Sequence, residues 1–404
     1  MHLFTVLYSK LMSLLSRVLM KFITLPAPLV FVGAGSSAAL CKAIVGFGHK
    51  RVLVVTDKML VELGIVAQAT KALEEQGIGV EVYDAILPDP DFAQVDGGIQ
   101  HCRKHNCDAV LAIGGGSSLD AAKIIALSAG SDQSPRDVLG FFKVSQRGLP
   151  TYCLPTTAGT GSEATMVSVI TDTATSTKCF IVDPKLVPSA VALDASLMTG
   201  LPPAITAATG MDALTHAIES ALSREANDET RQKALTAVSM IFNNLEAAVK
   251  DGTNLQTREA MAIASYYAGS AFTITNVGYV HGLAHQLGAL CHLPHGLANA
   301  LFLPHILDFY LDRAAPEMAR IAQAAGVGQD TDSDQERARK LVTAVRELKA
   351  NIGMPSHAEG LKEEMVSELV SRALNESHGL YGYPVPKYMR RKECEEIVRK
   401  LLPS

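Results

Sequence analysis

Four of the 12 histidines of this chain fall within a single fifteen-residue stretch, at positions His281, His285, His292 and His295. Upstream, Asp212 and His216 lie four residues apart, so they share one face if their segment is helical. One carboxylate and two or three imidazoles from two segments are the donors that a first-row divalent metal prefers. The alternative for Asp212 and His216 is a solvated acid and a hydrogen-bonded core histidine. The second histidine cluster favours the metal site.

Two glycine-rich segments each follow a predicted strand and open a predicted helix. Gly33–Ala38 has the pattern G-x-G-x-x-A with an acid, Asp57, about 20 residues further on, as in a dinucleotide-binding fingerprint. In the second segment, Gly114-Gly115-Gly116-Ser117, three glycines let the backbone approach a pyrophosphate at a helix N-terminus. The two loops compete for one role, and their spacing leaves the choice open.

Asp57 keeps its meaning with either loop, because it stands at the end of the second predicted strand. A carboxylate there can accept hydrogen bonds from the adenosine ribose and repels a 2′-phosphate, so we expect NAD rather than NADP. A helix N-cap is the simpler alternative for this residue and is compatible with the same prediction.

The two histidine-bearing segments resemble those of the iron-containing (group III) alcohol dehydrogenases. The matching patterns are G-x-D-A-L-x-H-A-x-E at 210–219 and H-G-x-A-H-x-x-G followed by P-H-G-x-A-N at 281–299, within a resemblance that runs from residue 25 to 310. The resemblance implies four metal ligands, which are Asp212, His216, His281 and His295. It places His285 beside the substrate, in proton transfer, with hydrogen bonding around the metal as the alternative. It gives His292 no role.

The same resemblance decides between the glycine loops. It implies that the G-G-G-S loop binds the cofactor phosphates, that the P-T-T-x-G-T-x-x-E segment at 155–163 covers the nicotinamide half, and that a lysine reaches the ribose. The predicted cofactor residues are Asp57, Gly114, Gly115, Gly116, Ser117, Asp120, Thr156, Thr157, Thr160 and Lys178. Where the family often has a cofactor-contacting asparagine, this chain has Asp89, which leaves that contact open.

A length of 404 residues predicts two domains around these motifs. Strand, glycine-turn and helix signals alternate up to about residue 200, and residues 204–350 have long helical patterns without strand signals. We therefore expect an α/β dinucleotide-binding domain at 23–200 and an all-α metal- and substrate-binding domain at 201–404. The resemblance implies the fold shared by dehydroquinate synthase and the iron alcohol dehydrogenases.

Residues 1–22 are predicted to form an amphipathic N-terminal extension, because apolar residues recur there at helical spacing. No run reaches the ~18 apolar residues that span a bilayer, and charges interrupt any signal-peptide core. We interpret the segment as an oligomer or domain contact, with a membrane-surface contact as the alternative.

Composition limits the partners of this protein. A net charge of −5 without long blocks of like charge argues against nucleic acid. Seven cysteines at irregular spacing, with no C-x-x-C pair, indicate reduced thiols in a cytoplasmic protein. We expect a homo-oligomer, most simply a homodimer.

The sequence as a whole predicts an NAD-dependent, Fe(II)-dependent alcohol dehydrogenase or aldehyde reductase acting on a small primary alcohol. Zinc is the alternative metal, since its affinity for such ligands exceeds that of Fe(II). A metal- and NAD-dependent lyase of the dehydroquinate synthase type is the alternative reaction, although residues 281–299 lack the Lys or Arg that would bind its phosphate. A non-catalytic, NAD-binding scaffold is a third hypothesis.

Overall fold

The computed structural model describes residues 25–174, 177–379 and 382–403. The chain forms two compact units by its own internal contacts: one contains residues 25–201 and 253–266, and the other contains residues 202–252 and 267 onward. The predicted extension at 1–22 lies outside the described residues, and the domain boundaries proposed from the sequence stay predictions.

The α/β unit is built on a six-stranded parallel sheet with the order β1-β9-β6-β4-β2-β3. Its strands are β1 (Leu29–Val32), β2 (Arg51–Val55), β3 (Gly79–Tyr83), β4 (Ala109–Gly114), β6 (Thr151–Pro155) and β9 (Ala190–Leu193). The central strands β4 and β6 are buried at every residue, which explains the continuous apolar sequence of β4. A smaller sheet with the order β5-β8-β7 contains β5 (Gly140–Phe141), β7 (Val167–Asp172) and β8 (Thr177–Val182).

Five α-helices connect the strands of the α/β unit. They are α1 (Ser36–Gly46), α2 (Lys58–Glu62), α3 (Ile65–Glu74), α4 (Phe92–Lys104) and α5 (Gly116–Ala129). The chain runs outward from β2 to β3 and then returns to β4 on the other side of β2. This reversal between β2 and β4 is the topological switch point, where parallel α/β sheets bind ligands at the carboxyl ends of their strands. The predicted glycine loop ends β4, and Asp57 follows β2.

The second unit is helical. Its helices are α6 (Pro203–Leu222), α7 (Asp228–Lys250), the part of α8 (Leu255–Thr275) from residue 267, α9 (Tyr279–Cys291), α10 (His295–Tyr310), α11 (Ala315–Ala324), α12 (Asp334–Asn351), α13 (Glu363–Ser377) and α14 (Arg391–Arg399). All residues of α6 from Gly210 to Leu222 are buried, so this helix forms the core of its unit. The architecture confirms the predicted fold class of an α/β part followed by an all-helical part.

Two further observations bear on the sequence analysis. Within the described ranges, no helix combines the length and the apolar character needed to cross a bilayer. All seven cysteines lie in those ranges, and none of them forms a disulfide.

Candidate metal and cofactor sites

The four predicted metal ligands come together in the helical unit, from three helices. His281 of α9 has its Nε2 atom 3.0 Å from His216 Nε2 and 3.8 Å from Asp212 Oδ1, both on α6. His295, the first residue of α10, has its Nε2 atom 3.5 Å from Asp212 Oδ1. One ligand atom from each of Asp212, His216 and His281 lies within 4.8 Å of the others, and all three residues are buried. The i, i+4 pair on α6 therefore faces the second histidine cluster.

The chemistry of these donors fits a divalent cation. Burial, followed by the neighbouring imidazoles, holds the pKa of His281 well below its ordinary value, so the ring is neutral and can offer a lone pair. Asn299 donates through Nδ2 to Asp212 Oδ1 at 2.7 Å, and the same atom is 3.2 Å from the Nε2 atoms of both His281 and His295. Its Oδ1 atom is buried and has no hydrogen-bond partner among the described residues. Converging buried acceptors of this kind are costly unless a cation satisfies them.

Glu219 orients His281. Its Oε2 atom lies 2.6 Å from His281 Nδ1, and its two oxygens also accept the backbone N–H groups of Gly278 and Val280, each at 2.8 Å. Burial raises the pKa of Glu219 to about 8, against the lowering effect of these hydrogen bonds. A Cβ atom on Gly278 would lie 2.7 Å from Glu219 Oε1, so only glycine leaves room for the carboxylate. A proton on Nδ1 directs the His281 Nε2 lone pair toward Asp212 and His216.

Local packing fixes the remaining ligands. The His216 ring stacks on Phe272 with a centroid distance of 4.2 Å. The first turn of α10 lies against α6, where a Cβ atom on Gly296 would meet Ala208 O at 2.2 Å. His292 has a φ of +53° and ends α9, which lets the chain turn back toward α10 and His295. The structural role of His292 is therefore to form this turn.

His285 lies one helical turn after His281 and is held by a carboxylate that the sequence analysis missed. Its Nδ1 atom is 2.6 Å from Glu376 Oε1, on α13. Glu376 also accepts hydrogen bonds from Gln286 and Tyr383. Burial favours the neutral form of Glu376, but His285 and these two donors outweigh it and lower the pKa of the carboxyl group. The rings of His285 and His295 stack with centroids 5.3 Å apart, so His285 borders the predicted metal ligands.

Sequence reasoning could have found Glu219 and had no means of finding Glu376. Glu219 stands three residues after His216 and seven after Asp212, so helical periodicity alone puts all three on one face of α6. His285 and Glu376 are 91 residues apart, and no spacing rule connects them.

In the α/β unit, the predicted glycine loop and the threonine-rich segment are in contact. A Cβ atom on Gly116 would lie 2.6 Å from Thr160 Cγ2, and one on Gly115 would lie 3.3 Å from Thr157 Oγ1. The Thr156 N–H group donates to Gly114 O at 2.9 Å. At the N-terminus of α5, the N-cap residue Gly115 makes no side-chain cap, so the first backbone N–H groups of α5 are suited to bind an anionic phosphate.

The competing glycine segment has a carboxylate at its helix. Ser37, in the first turn of α1, donates through its backbone N–H and its Oγ to Asp194 Oδ2, at 3.1 and 2.6 Å. Burial opposes the charge of Asp194, but hydrogen bonds from Ser196 and Ser37 outweigh it and lower the pKa of the carboxyl group. This negative charge already occupies the N-terminus of α1, and β1 is an edge strand. Both facts favour the loop at 114–117 as the phosphate-binding one.

Asp57 is the N-cap of α2, which is the simpler of the two roles considered for it from the sequence. Its Oδ1 atom accepts the Leu60 N–H at 3.0 Å. Paired residues Val55 and Ala112 put the end of β2 beside the end of β4, so Asp57 lies next to the glycine loop at the switch point. The cap and a ribose contact are compatible, since a carboxylate has two oxygens.

Two other predicted cofactor residues have protein partners. Asp120 accepts hydrogen bonds from Ser162 Oγ at 2.5 Å and from the Val169 N–H at 3.0 Å, so it ties α5 to the segment that follows the threonines. Lys178 Nζ lies 2.9 Å from Asp89 Oδ1. The residue that replaces the family's asparagine thus pairs with the predicted ribose-binding lysine. Direct cofactor contacts of Asp120 and Lys178 stay predictions.

Comparison with known proteins finds two family models that together match most of the chain. The family model described as iron-containing alcohol dehydrogenase matches residues 27–195, and the model of the C-terminal part of the Fe-containing alcohol dehydrogenase family matches residues 206–402. The 1,3-propanediol dehydrogenase of Citrobacter freundii is 39% identical over 364 residues, which cover 89% of this chain and 92% of the relative. The NAD-dependent methanol dehydrogenase of Bacillus methanolicus is 36% identical over 351 residues, covering 86% and 92%.

A solved structure of a 1,3-propanediol oxidoreductase superposes with a TM-score of 0.90 and 36% identity, covering 94% of this chain and 100% of the other. These relatives are named as dehydrogenases and oxidoreductases, which disfavours the lyase alternative. The predicted family is thereby confirmed. The chain belongs to the iron-containing alcohol dehydrogenase family and is an NAD-dependent alcohol oxidoreductase.

Proposed function

We propose that this protein transfers a hydride between a small primary alcohol and NAD, with Fe(II) held by Asp212, His216, His281 and His295. The observation that carries the proposal is the convergence of Asp212, His281 and His295 from three helices on the Asn299 amide, with His216 Nε2 3.0 Å from His281 Nε2. The substrates in the names of the two relatives described above, 1,3-propanediol and methanol, are small alcohols and support the substrate class.

The family name supports Fe(II), whereas the donors alone also suit zinc. When bound, a divalent ion supplies a Lewis acid that lowers the pKa of an oxygen ligand by several units. Glu219 keeps a proton on Nδ1 of His281, so that Nε2 stays available as a ligand. Phe272 holds the His216 ring by stacking and gives the site an apolar wall.

In our proposal His285 moves the proton. Its hydrogen bond to Glu376 favours the tautomer with a proton on Nδ1, so Nε2 can accept a proton from the alcohol side. The carboxylate of Glu376 stabilises the imidazolium that results. A positioned general base contributes about 10²–10⁴-fold, or about 3–5 kcal/mol. In the direction of aldehyde reduction, the same pair returns the proton.

For the cofactor, we propose that the loop at 114–117 and the N-terminus of α5 bind the pyrophosphate of NAD. The contact of Gly115 and Gly116 with Thr157 and Thr160 supports a continuous binding surface. Bound nicotinamide supplies the hydride acceptor at its C4 atom. Asp57, beside the loop, disfavours the 2′-phosphate of NADP.

We also propose a cytoplasmic homodimer. The seven free thiols support a reducing compartment. β1 pairs with β9 on one side, and three of its four residues expose apolar side chains, Leu29 by 58%, Val30 by 38% and Val32 by 50%. A second copy that extends the sheet at this edge would cover them.

The decisive experiment is anaerobic removal and replacement of the metal. The protein is stripped with a chelator, reloaded with Fe(II) or Zn(II), and NADH absorbance is followed with a panel of short alcohols and aldehydes. We expect Fe(II) to restore turnover, and the panel ranks the substrates. Absence of turnover with either metal, in protein that still binds NADH, would contradict the proposal.

A further inference from the structure

We propose that Glu81, His101 and His105 form a second divalent metal site, located in the α/β unit and separate from the alcohol-oxidising centre. His101 lies in the last turn of α4, and His105 caps the helix. The His105 N–H donates to His101 O at 3.2 Å, so the two residues keep helical spacing and lie on one face. Glu81 lies on β3, and its side chain faces these histidines.

The distances suit a shared ion. His105 Nδ1 lies 3.1 Å from Glu81 Oε2, and the rings of His101 and His105 stack with centroids 4.6 Å apart. One ligand atom from each of the three residues lies within 4.8 Å of the other two. Two imidazoles four residues apart on a helix, with one carboxylate, are a donor set for Zn(II) and neighbouring transition metals.

A second observation comes from His101 itself. Its Nε2 atom is buried and, among the residues that the structure describes, has no hydrogen-bond partner. A buried polar atom without a partner calls for an explanation, and a metal ion would provide one.

Arg51 determines which ions fit. Its Nη1 atom lies 3.7 Å from Glu81 Oε1 and donates to His105 O at 3.1 Å, which leaves Oε2 of Glu81 to face His105. This cation weakens attraction for any second positive charge, so binding depends on the covalent preference of a transition metal for imidazole. We therefore expect Zn(II), Ni(II) or Cu(II) to bind and Mg(II) not to bind. A bound ion would tie the end of α4 to β3.

The test uses the full-length chain with a His281→Ala background, in which the proposed catalytic ligands are incomplete. Zn(II) binding is measured by equilibrium dialysis with elemental analysis. Because even the loss of a group supporting a ligand costs 10–100-fold in metal affinity, removing two ligands by His101→Gln/His105→Gln should weaken the remaining Zn(II) binding about 100-fold or more. The matched control is His357→Gln, which changes an exposed histidine. Unchanged Zn(II) affinity in the folded double variant would overturn the proposal.

A spectroscopic measurement covers the case of a variant that fails to fold. Cu(II) bound to the His281→Ala protein should show electron paramagnetic resonance splitting from two imidazole nitrogens. The milder Glu81→Gln substitution should weaken Cu(II) binding and keep this splitting, whereas His105→Gln should reduce the splitting to that of one nitrogen. If neither substitution changes the Cu(II) signal, these residues are excluded as ligands. In the native chain, His101→Gln/His105→Gln should leave alcohol turnover unchanged, so this result is independent of the catalytic proposal.

Discussion

The helical unit and the α/β unit build their candidate sites from different parts of the chain. In the helical unit, side chains from α6, α9 and α10 converge, and a carboxylate behind them, Glu219, orients His281. In the α/β unit, the glycine loop offers backbone, and its function depends on side chains being absent. The candidate metal site depends on the identity of its side chains. The glycine loop, by contrast, would be disturbed by any added side chain.

The largest effect should follow from His281→Ala, which removes a side chain from the centre of the proposed ligand set. After anaerobic loading with Fe(II), we expect loss of stoichiometric iron and a fall in kcat/KM of about 10⁴-fold or more, since the metal supplies the largest share of the charge stabilisation. NADH affinity should be retained. Metal content by elemental analysis checks this, with His292→Asn as the control, because asparagine tolerates the left-handed conformation at the end of α9. Full iron content in Fe(II)-loaded His281→Ala would remove His281 from the ligand set.

Gly116→Ala tests the other kind of site. The added Cβ would lie 2.6 Å from Thr160 Cγ2, and such overpacking costs about 1–3 kcal/mol, which corresponds to about 5- to 150-fold weaker NAD binding. Metal content should not change. The double variant Gly116→Ala/Thr160→Ala should recover part of the loss, because it removes the clashing methyl group. NADH fluorescence titration gives the affinities, and equal NADH binding by Gly116→Ala and the parent would count against the loop.

Glu376→Gln asks whether the carboxylate that His285 shares with Gln286 and Tyr383 matters to turnover. Glutamine preserves the shape but removes the charge that stabilises the imidazolium, so we expect kcat to fall about tenfold with little change in KM. The matched control is Glu368→Gln, an exposed residue on the same helix α13 that pairs with Arg372. Steady-state kinetics and the pH profile of kcat measure the effect. A change in KM alone would show that Glu376 only shapes the substrate site.

The smallest effect should come from Asp57→Asn, which keeps a helix cap while removing a charge. Two like charges at about 4 Å in water repel by about 1 kcal/mol, so the ratio of NADP to NAD use should rise about fivefold. Asp91→Asn provides the control, because Asp91 caps α4 in the same manner, through the Gln94 N–H at 2.9 Å. If both variants change the cofactor ratio equally, or neither does, Asp57 is a cap and nothing more.

Local rules were enough for much of the architecture. The alternation of apolar strands and glycine turns predicted the α/β part, and the i, i+4 spacing of Asp212 and His216 predicted their common face. Local rules do not determine which of the two glycine loops binds the phosphates. Both glycine segments follow a strand and open a helix, and in the structure they are distinguished by the carboxylate of Asp194 at α1, 157 residues from Ser37.

The partners that complete the metal centre were also beyond the reach of spacing rules. Glu376 meets His285 only because α13 lies against α9, and a close approach of Gly282 to Ser377 is part of that packing. Asn299 belongs to the motif at 281–299, but its central position among Asp212, His281 and His295 depends on the crossing of three helices. Periodicity predicts which residues share a face of a helix, and tertiary packing determines which other residues contact that face.

The position of the proposed ligands on three helices has a consequence for the lifetime of the protein. An ion shared by Asp212 and His295 would close a loop of the chain, much as a disulfide does, and would bind only the folded form. Free metal at 100 times its dissociation constant would add about 2.7 kcal/mol to the free energy of unfolding. Enzyme deprived of its metal should therefore be lost to proteolysis as well as being inactive, so metal supply would control the amount of enzyme along with its activity.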